Sequence, residues 1–383
     1  MDSSNKIILF VPMHNDPLDL SASSSVEYFV FEALKVQYGS RNVRILKPIE
    51  RSKYLIERVY QKIVRQFDKW YSKWSLRALI KVNFQLKRYL KQNPEVQTIV
   101  TLFPSTYFLL FKPKVQIVFI TDLTFKDWKS NGAKFDILSY SLQRNVERIA
   151  SYKASKIITH SVHGRDQLMK EYRLDPDKIF VLPMPSAIPI ERVDRSEIGL
   201  VNFKKIENNK LNLLLVGRNY YRKGIDIALK VNNELNNKGY DSTLTICGSP
   251  PIDNQFENGK VRFVGTFDKR FELQQYIQLY KETHLLIHPA RYEPAGIVPS
   301  EAAMFGKPTI TNDTGGLATQ VVHGRTGIVL PKSSSFEKYV EVIIGIIENP
   351  ETYRSLCEGA FTNYEEKMNW AAAGRTLKTI IDR

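Results

Sequence analysis

Short apolar runs alternate with segments of helical periodicity along the whole chain, and that alternation limits the fold more than any other feature. Lys6–Pro12 (KIILFVP), Val43–Leu46, Thr98–Leu102, Gln116–Ile120, Lys156–His160 and Ile179–Leu182 read as strands in the first half. Leu211–Val216 (LNLLLV), Ser242–Cys247, Val261–Val264, His284–His288, Pro308–Thr311 and Thr326–Leu330 do so in the second. Runs this short, apolar on consecutive rather than alternate positions, belong to strands covered on both faces. Helices are expected at Val26–Tyr38, Asp136–Tyr152 and Gly164–Tyr172, from Lys223-Gly224, at Arg270–Tyr280 and Pro299–Phe305, from Phe336, from Thr352, and over Trp370–Arg383. Such alternation gives an α/β fold with parallel sheets. At 383 residues the chain is long enough for two domains of this kind. The proline-rich stretch Pro183–Pro189 (PMPSAIP), with the polar segment that follows it to Lys210, is the expected linker, so the first domain takes 1–190.

The formal net charge is +15, and residues 41–92 carry most of it, with fifteen Lys/Arg against three acids. Within this stretch Ser52–Trp74 places apolar residues and cations on separate stripes at helical spacing. Two readings remain open. One is an ordinary helix with a solvated basic face. The other is a surface over 52–91 for anionic lipid headgroups, with Trp70, Tyr71 and Trp74 at the interface. Nucleic acid is not expected, because there is no recognisable binding motif and no interleaved aromatic repeat. Cys247 and Cys357 stand in no CxxC or Cys/His spacing, which argues against a disulfide framework or a structural zinc site. Met1–His14 lacks the basic start and apolar length of a signal peptide, and no run of about 20 apolar residues occurs. The expected location is cytoplasmic, peripheral at the inner membrane face.

The residues that carry chemistry lie in the second half. Glu293 and Glu301, with seven residues between them, bracket a change from loop to helix in HPARYEPAGIVPSEAAMFGKP (His288–Pro308). Gly296, Ile297 and Val298 lead into that helix, and amides at a helix N-terminus form an anion site. Each glutamate can accept two hydroxyl donors, which suits a sugar or a ribose. The alternative is an N-cap interaction and a surface carboxylate. Upstream, Gly217 and Arg218 close the strand Leu211–Val216, and Lys223 stands five positions after Arg218. In an open parallel sheet this end of a strand is where ligands bind. Arginine grips phosphate bidentately and lysine supplies a compact charge, whereas the plain alternative is two solvated loop cations. The spacing is not that of a P-loop. Asp175 and Asp177 form a DxD that reads as a turn between helix and strand.

Taken together, GRNYYRKG (217–224), the His288–Pro308 segment, NDTGG (312–316) and HGRTGIVLP (323–331) resemble the donor half of the retaining GT-B glycosyltransferases of family 4. THSVHGRDQLMKEYRLDPDKIFVLP (159–183) is similar to the segment before that family's domain crossover. The resemblance implies two Rossmann-like domains facing a cleft. The first (1–190) takes the acceptor and the second (191–367) the nucleotide-sugar donor, and the last helix, 368–383, packs back on the first. It implies that Arg218 and Lys223 hold the donor diphosphate where other transferases use a metal, so that neither metal nor cofactor is required. Glu301 would bind the ribose, Glu293 with the amides of Gly296, Ile297 and Val298 would hold the transferred sugar and phosphate, and Phe263–Phe267 would lie near the base. Reaction would be by front-face displacement, with Arg218, Lys223 and Glu293 as the catalytic set and no glutamate acting as covalent nucleophile. Domain closure would gate the reaction and exclude water.

The first half departs from the family. Thr121-Asp122 stands where many members carry His-Asp, and Ser24-Ser25 stands where a glycine pair is usual. His14, Asp16, Ser24, Asp122 and His160 are therefore the candidates on the acceptor side. The expected function is transfer of a hexosyl group from a nucleotide-diphosphate sugar to a polysaccharide, lipid-linked or glycolipid acceptor in surface glycan biosynthesis. A GT-B epimerase, the first alternative, would form product without an acceptor. A glycan- or nucleic-acid-binding protein would release no nucleoside diphosphate from any donor.

Overall fold

The computed structural model describes residues 6–12, 17–18, 20, 25–46, 76–102, 108–251 and 259–383. The expected helix at Ser52–Trp74 and the candidates His14, Asp16 and Ser24 lie outside the described residues. The chain divides into two units, Met1–Leu182 with Gly374–Arg383, and Pro183–Ala373.

The first unit holds strands β1 (Ile8–Val11), β2 (Val43–Ile45), β3 (Thr98–Leu102), β4 (Gln116–Thr121), β5 (Lys156–Thr159) and β6 (Ile179–Val181). They form one parallel sheet in the order β2-β1-β3-β4-β5-β6. Helices α1 (Val26–Tyr38), α2 (Leu76–Gln92), α3 (Phe125–Ser130), α4 (Ile137–Lys153) and α5 (Val162–Tyr172) fill the connections. β1 and β3 are buried along their whole length, as the unbroken apolar runs require. On α2, Val82 and Leu86 join the core while Lys81, Lys87, Arg88 and Lys91 stay exposed, so this part of the basic stretch is an amphipathic helix with a solvated cationic face. α3 has no counterpart among the sequence expectations. Six residues are too few to show a period, and the available cue was Thr124, whose side chain caps the helix by accepting from the Asp127 amide at 3.1 Å. Ser25, at the start of α1, has φ +66°, a backbone conformation that glycine adopts without strain. It thus holds a glycine-like geometry where the resembled family has glycine.

The second unit holds β7 (Lys210–Val216), β8 (Asp241–Cys247), β9 (Val261–Phe263), β10 (Leu285–His288), β11 (Thr309–Asn312) and β12 (Gly327–Leu330). This sheet is also parallel, in the order β12-β11-β10-β7-β8-β9. Its helices are α6 (Ile225–Asn237), α7 (Leu273–Glu282), α8 (Ile297–Met304), α9 (Leu317–Gln320), α10 (Phe336–Ile347) and α11 (Pro350–Asn363). Winding starts at β7 and runs one way through β8 and β9, then the other way from β10, so the switch point lies between β7 and β10.

Two expectations are corrected. The expected linker Pro183–Pro189 begins where the units divide, but it is packed: Met184, Ala187 and Ile188 are buried, and the Met184 carbonyl accepts from Ser300 Oγ at 2.6 Å. Its apolar residues outweigh its prolines, and the units divide at Leu182/Pro183 instead of at 190. α7 begins at Leu273, not Arg270, because Asp268 and Glu272 close a turn first, with the Asp268 amide donating to Glu272 at 2.9 Å. Asp175 and Asp177 form the expected turn, Asp175 accepting from the Asp177 amide at 2.9 Å.

The last helix, α12 (Trp370–Asp382), runs from the second unit into the first. Lys6 Nζ donates to the Ile381 carbonyl at 3.1 Å and Lys156 Nζ to Ile380 at 2.5 Å, so two lysines of the first unit satisfy the free carbonyls of the helix end.

Candidate functional site

β7 and β10 are neighbours, and the loops at their carboxyl ends bring the predicted residues together. After β7 the chain turns through Gly217. A Cβ there would lie 2.6 Å from Cγ of Lys223, so the absent side chain is the space through which the lysine stem passes. Lys223 is buried and its ammonium lies 2.5 Å from Glu293 Oε2. The approach is fixed from the other side by Gly224, φ +70°, where a Cβ would meet the Pro289 carbonyl at 2.0 Å. Only glycine permits that contact in that conformation. The Arg291 amide then donates to the Arg222 carbonyl at 2.8 Å, tying the two loops together.

Arg222 is a site residue that the sequence reading passed over. Its Nη1 donates to Glu293 Oε2 at 3.0 Å and to the Tyr292 carbonyl at 2.9 Å. The spacing of Arg218 and Lys223 drew attention away from it, although it sits inside the same GRNYYRKG motif. Arg218 is exposed and makes no ion pair or hydrogen bond among the described residues. Two cations, Arg222 and Lys223, thus meet one carboxylate, with Arg218 exposed on the same loop, and the excess positive charge of that loop suits an anionic ligand.

Glu293 is half-buried. Burial raises its pKa, but Lys223 and Arg222 outweigh that and hold the carboxyl well below the usual carboxylate range. Beside it, His288 is fully buried with neither ring nitrogen hydrogen-bonded, its Nε2 standing 3.9 Å from Glu293 Oε2. Burial and then the charge of Lys223 push the imidazole down to about 4, so it is neutral near pH 7. The carboxylate therefore accepts hydrogen bonds and has no proton to give.

α8 starts at Ile297, two residues earlier than expected, with Gly296 as N-cap in the left-handed region and no side chain capping it. The amides of a helix's first turn have no intrahelical acceptor, so those of Ile297 and Val298 remain available to a ligand. The Glu293 carbonyl accepts from the Gly316 amide at 2.7 Å, which fixes the loop leading to this helix from the NDTGG turn.

Glu301 is neither a surface carboxylate nor an N-cap residue. Its side chain is fully buried, with Oε2 accepting from Tyr276 at 2.6 Å and Tyr280 at 2.7 Å, and Oε1 paired with Lys269 at 2.5 Å. A carboxylate offers about four acceptor positions, so with Lys269 in place one remains, on Oε1. A vicinal diol bound through two hydroxyls needs a second.

In the first unit, β4 and β5 are adjacent, and their carboxyl ends bring two of the acceptor-side candidates together. His160 Nδ1 lies 2.9 Å from the Leu182 carbonyl, to which it donates, while Nε2 stands 3.7 Å from Asp122 Oδ1. A second pair was not anticipated: His163 Nε2 lies 2.9 Å from Asp127 Oδ2. Both histidines stand in THSVHG, and the unrecognised helix α3 supplies Asp127.

A parallel α/β unit with cations and an uncapped helix start at its switch point is of the Rossmann-like class. Residues 200–362, which contain this whole cluster, match the family model Glycosyl transferases group 1. Among solved structures, a glycosyltransferase from Rickettsia africae ESF-5 superposes with a TM-score of 0.67 at 16% identity, over 99% of this chain and 98% of that one. WaaG, a glycosyltransferase involved in lipopolysaccharide biosynthesis, gives 0.62 at 16% identity over 98% and 99%. These likenesses establish the fold as that of the GT-B glycosyltransferases, with two Rossmann-like units. An alpha-D-kanosaminyltransferase from Streptomyces kanamyceticus is 24% identical over 262 residues, 64% of this chain. The chain spans 65% of that curated relative's length.

Proposed function

We propose that the chain is a retaining, metal-independent hexosyltransferase of family 4, moving a sugar from a nucleotide-diphosphate sugar to a polysaccharide, lipid-linked or glycolipid acceptor. The observation that carries this is the pairing of Arg222 and Lys223 with Glu293, with Arg218 on the same loop after β7, beside the uncapped start of α8. The match to Glycosyl transferases group 1 over the same residues supports it, as do relatives whose names describe sugar transfer.

In this proposal the donor diphosphate takes Arg218 and draws Lys223 from Glu293. Arg222 keeps Glu293 ionised, and its oxygens then accept hydroxyls of the transferred sugar. As the bond from the anomeric carbon to the diphosphate breaks, the charge gathering on the leaving oxygens is met by Arg218, Lys223 and the amides of Gly296, Ile297 and Val298. The acceptor hydroxyl adds on the face the diphosphate leaves, passing its proton to the departing phosphate oxygen. The pKa of Glu293, held well below the usual carboxylate range, argues against the acid role of a hydrolase pair. Glu301 takes the ribose once Lys269 leaves Oε1, while the tyrosines keep Oε2 in position. Asp122 and His160 are assigned to the acceptor, together with His14, Asp16 and Ser24 of the loop after β1. Glycan assembly at a cytoplasmic membrane face suits the basic stretch 52–91, and among the described residues no helix is long and apolar enough to cross a membrane.

A screen of nucleotide sugars for nucleoside diphosphate release tests the assignment. Arg218→Ala and Lys223→Ala are expected to lose turnover of whichever donor the wild type uses. Transfer at the wild-type rate in either variant would sink it.

A further inference from the structure

Away from the candidate donor site, the hairpin of α3 and α4 carries apolar and cationic side chains side by side on its surface. Trp128, Ile137 and Leu138 are 38%, 82% and 70% exposed. Ile137 and Leu138 open α4, whose buried face continues through Val146 and Ala150. Leu138 stands on that stripe, yet its exposure means that the core ends short of it. The tip is held in shape by rings: Trp128 packs on Phe135 with centroids 5.2 Å apart, and Phe135 on Phe125 and Tyr140 at 5.9 Å. Asn131 closes it by donating to the Asp127 carbonyl at 2.8 Å.

The charges are sorted as sharply. Between Phe125 and Arg148 every carboxylate, Asp127, Asp136 and Glu147, is buried, whereas Lys126, Lys129, Lys134 and Arg148 are exposed. Lys126 leans toward Glu171 at 3.9 Å, and Lys129 lies over the Tyr140 ring at 4.1 Å. What remains outside is an aliphatic pair, an indole and the exposed lysines Lys129 and Lys134 of the same hairpin.

We propose that this α3–α4 tip docks on an anionic lipid bilayer, with Ile137, Leu138 and Trp128 entering the headgroup region and Lys129 and Lys134 meeting lipid phosphates. Aliphatic side chains burying beneath a cationic rim is the arrangement by which peripheral proteins bind such surfaces, and an indole favours the interface. A fluid bilayer also needs no complementary pocket for a protruding pair, which a folded partner does. The proposal specifies the membrane contact within the reading above, and it stands apart from both the donor site and the stretch 52–91.

The test is co-sedimentation of the full chain with vesicles of phosphatidylcholine alone and of phosphatidylcholine mixed with phosphatidylglycerol. Binding is expected only with phosphatidylglycerol. Ile137→Ser/Leu138→Ser should weaken it by about tenfold or more, and Lys129→Glu/Lys134→Glu by at least about fivefold per lysine. Lys332→Glu, exposed in the second unit and outside both basic segments, should retain most of the binding, and all three variants should melt like the wild type. Equal vesicle binding by the tip variants and the wild type would overturn the proposal. So would a wild type that binds neither vesicle, which would leave the tip to an acidic protein. Binding of nucleoside diphosphates, measured in parallel, should not change in the tip variants, so failure of the donor reading is seen separately.

Discussion

Replacing Gly217 by alanine perturbs the candidate donor site where its packing is tightest. The new methyl would stand 2.6, 3.0 and 3.1 Å from Cγ, Cδ and Cβ of Lys223. Carbon atoms pack at about 3.5–4.0 Å, so the lysine stem has to retreat by roughly 1 Å. Retreat carries the ammonium from its place 2.5 Å from Glu293, and because the contact is at Cγ the motion cannot be absorbed at the flexible end of the chain. Gly217 is not among the glycines at positive φ, so alanine brings no backbone strain and the fold should persist. A displacement of ~1 Å in a positioning group costs about 100-fold in rate, or about 2.7 kcal/mol of transition-state stabilisation. The assay is nucleoside diphosphate release from a donor that the wild type turns over. Gly345→Ala is the matched control: it lies inside α10 with nothing within 4 Å of the added methyl. That change should stabilise the helix by about 1 kcal/mol and leave the rate alone. A Gly217→Ala enzyme with wild-type turnover would refute the claim that this glycine seats a catalytic lysine.

Three other outcomes follow from the same geometry. Tyr276→Phe and Tyr280→Phe each remove a hydrogen bond to the buried Glu301 carboxylate and should cost about 1.5–3 kcal/mol in chemical denaturation. The double variant should lose less than the sum, because the two hydroxyls stand 2.9 Å apart on the same carboxylate oxygen and each can stand in for the other; no loss in either single variant would mean that these hydroxyls do not hold Glu301. Glu147 is buried, which raises its pKa to about 8 against the bonds from Tyr172 and the Phe125 amide. Its carboxyl then keeps a proton that the unfolded chain has already released. Stability should fall as pH rises from the unfolded value toward about 8, by roughly 5 kcal/mol at most, and Glu147→Gln should flatten that slope. An equally steep slope in the Gln variant would assign the pH dependence to other groups.

The central strands, such as β1, β3 and β10, were legible because they are buried along their whole length, and β1 and β10 read as unbroken apolar runs. Their carboxyl ends then located Gly217, Arg218 and Lys223 without further information. What stayed hidden was pairing across long separations. Tyr276 and Tyr280, four residues apart on α7, look like one face of an amphipathic helix, and nothing local shows that both reach Glu301. The burial of Glu301 was for the same reason unreadable from its own neighbours, and so was the ion pair with Lys269. Arg222 was overlooked because its partner Glu293 lies on the loop after another strand. In the first unit, His160 was singled out but its approach to Asp122 required knowing that β4 and β5 are adjacent. The prolines of Pro183–Pro189 marked the boundary between the units, but their turn-forming preference said nothing about the burial of Met184 and Ile188.

The central claim is that the cations around Glu293 form a diphosphate site. Isothermal titration of the full chain with UDP, GDP and ADP measures this most directly. The account predicts saturable binding of at least one of them, weakened about tenfold or more by Lys223→Ala and by Arg218→Ala. Equal affinity in the wild type and both variants would contradict it.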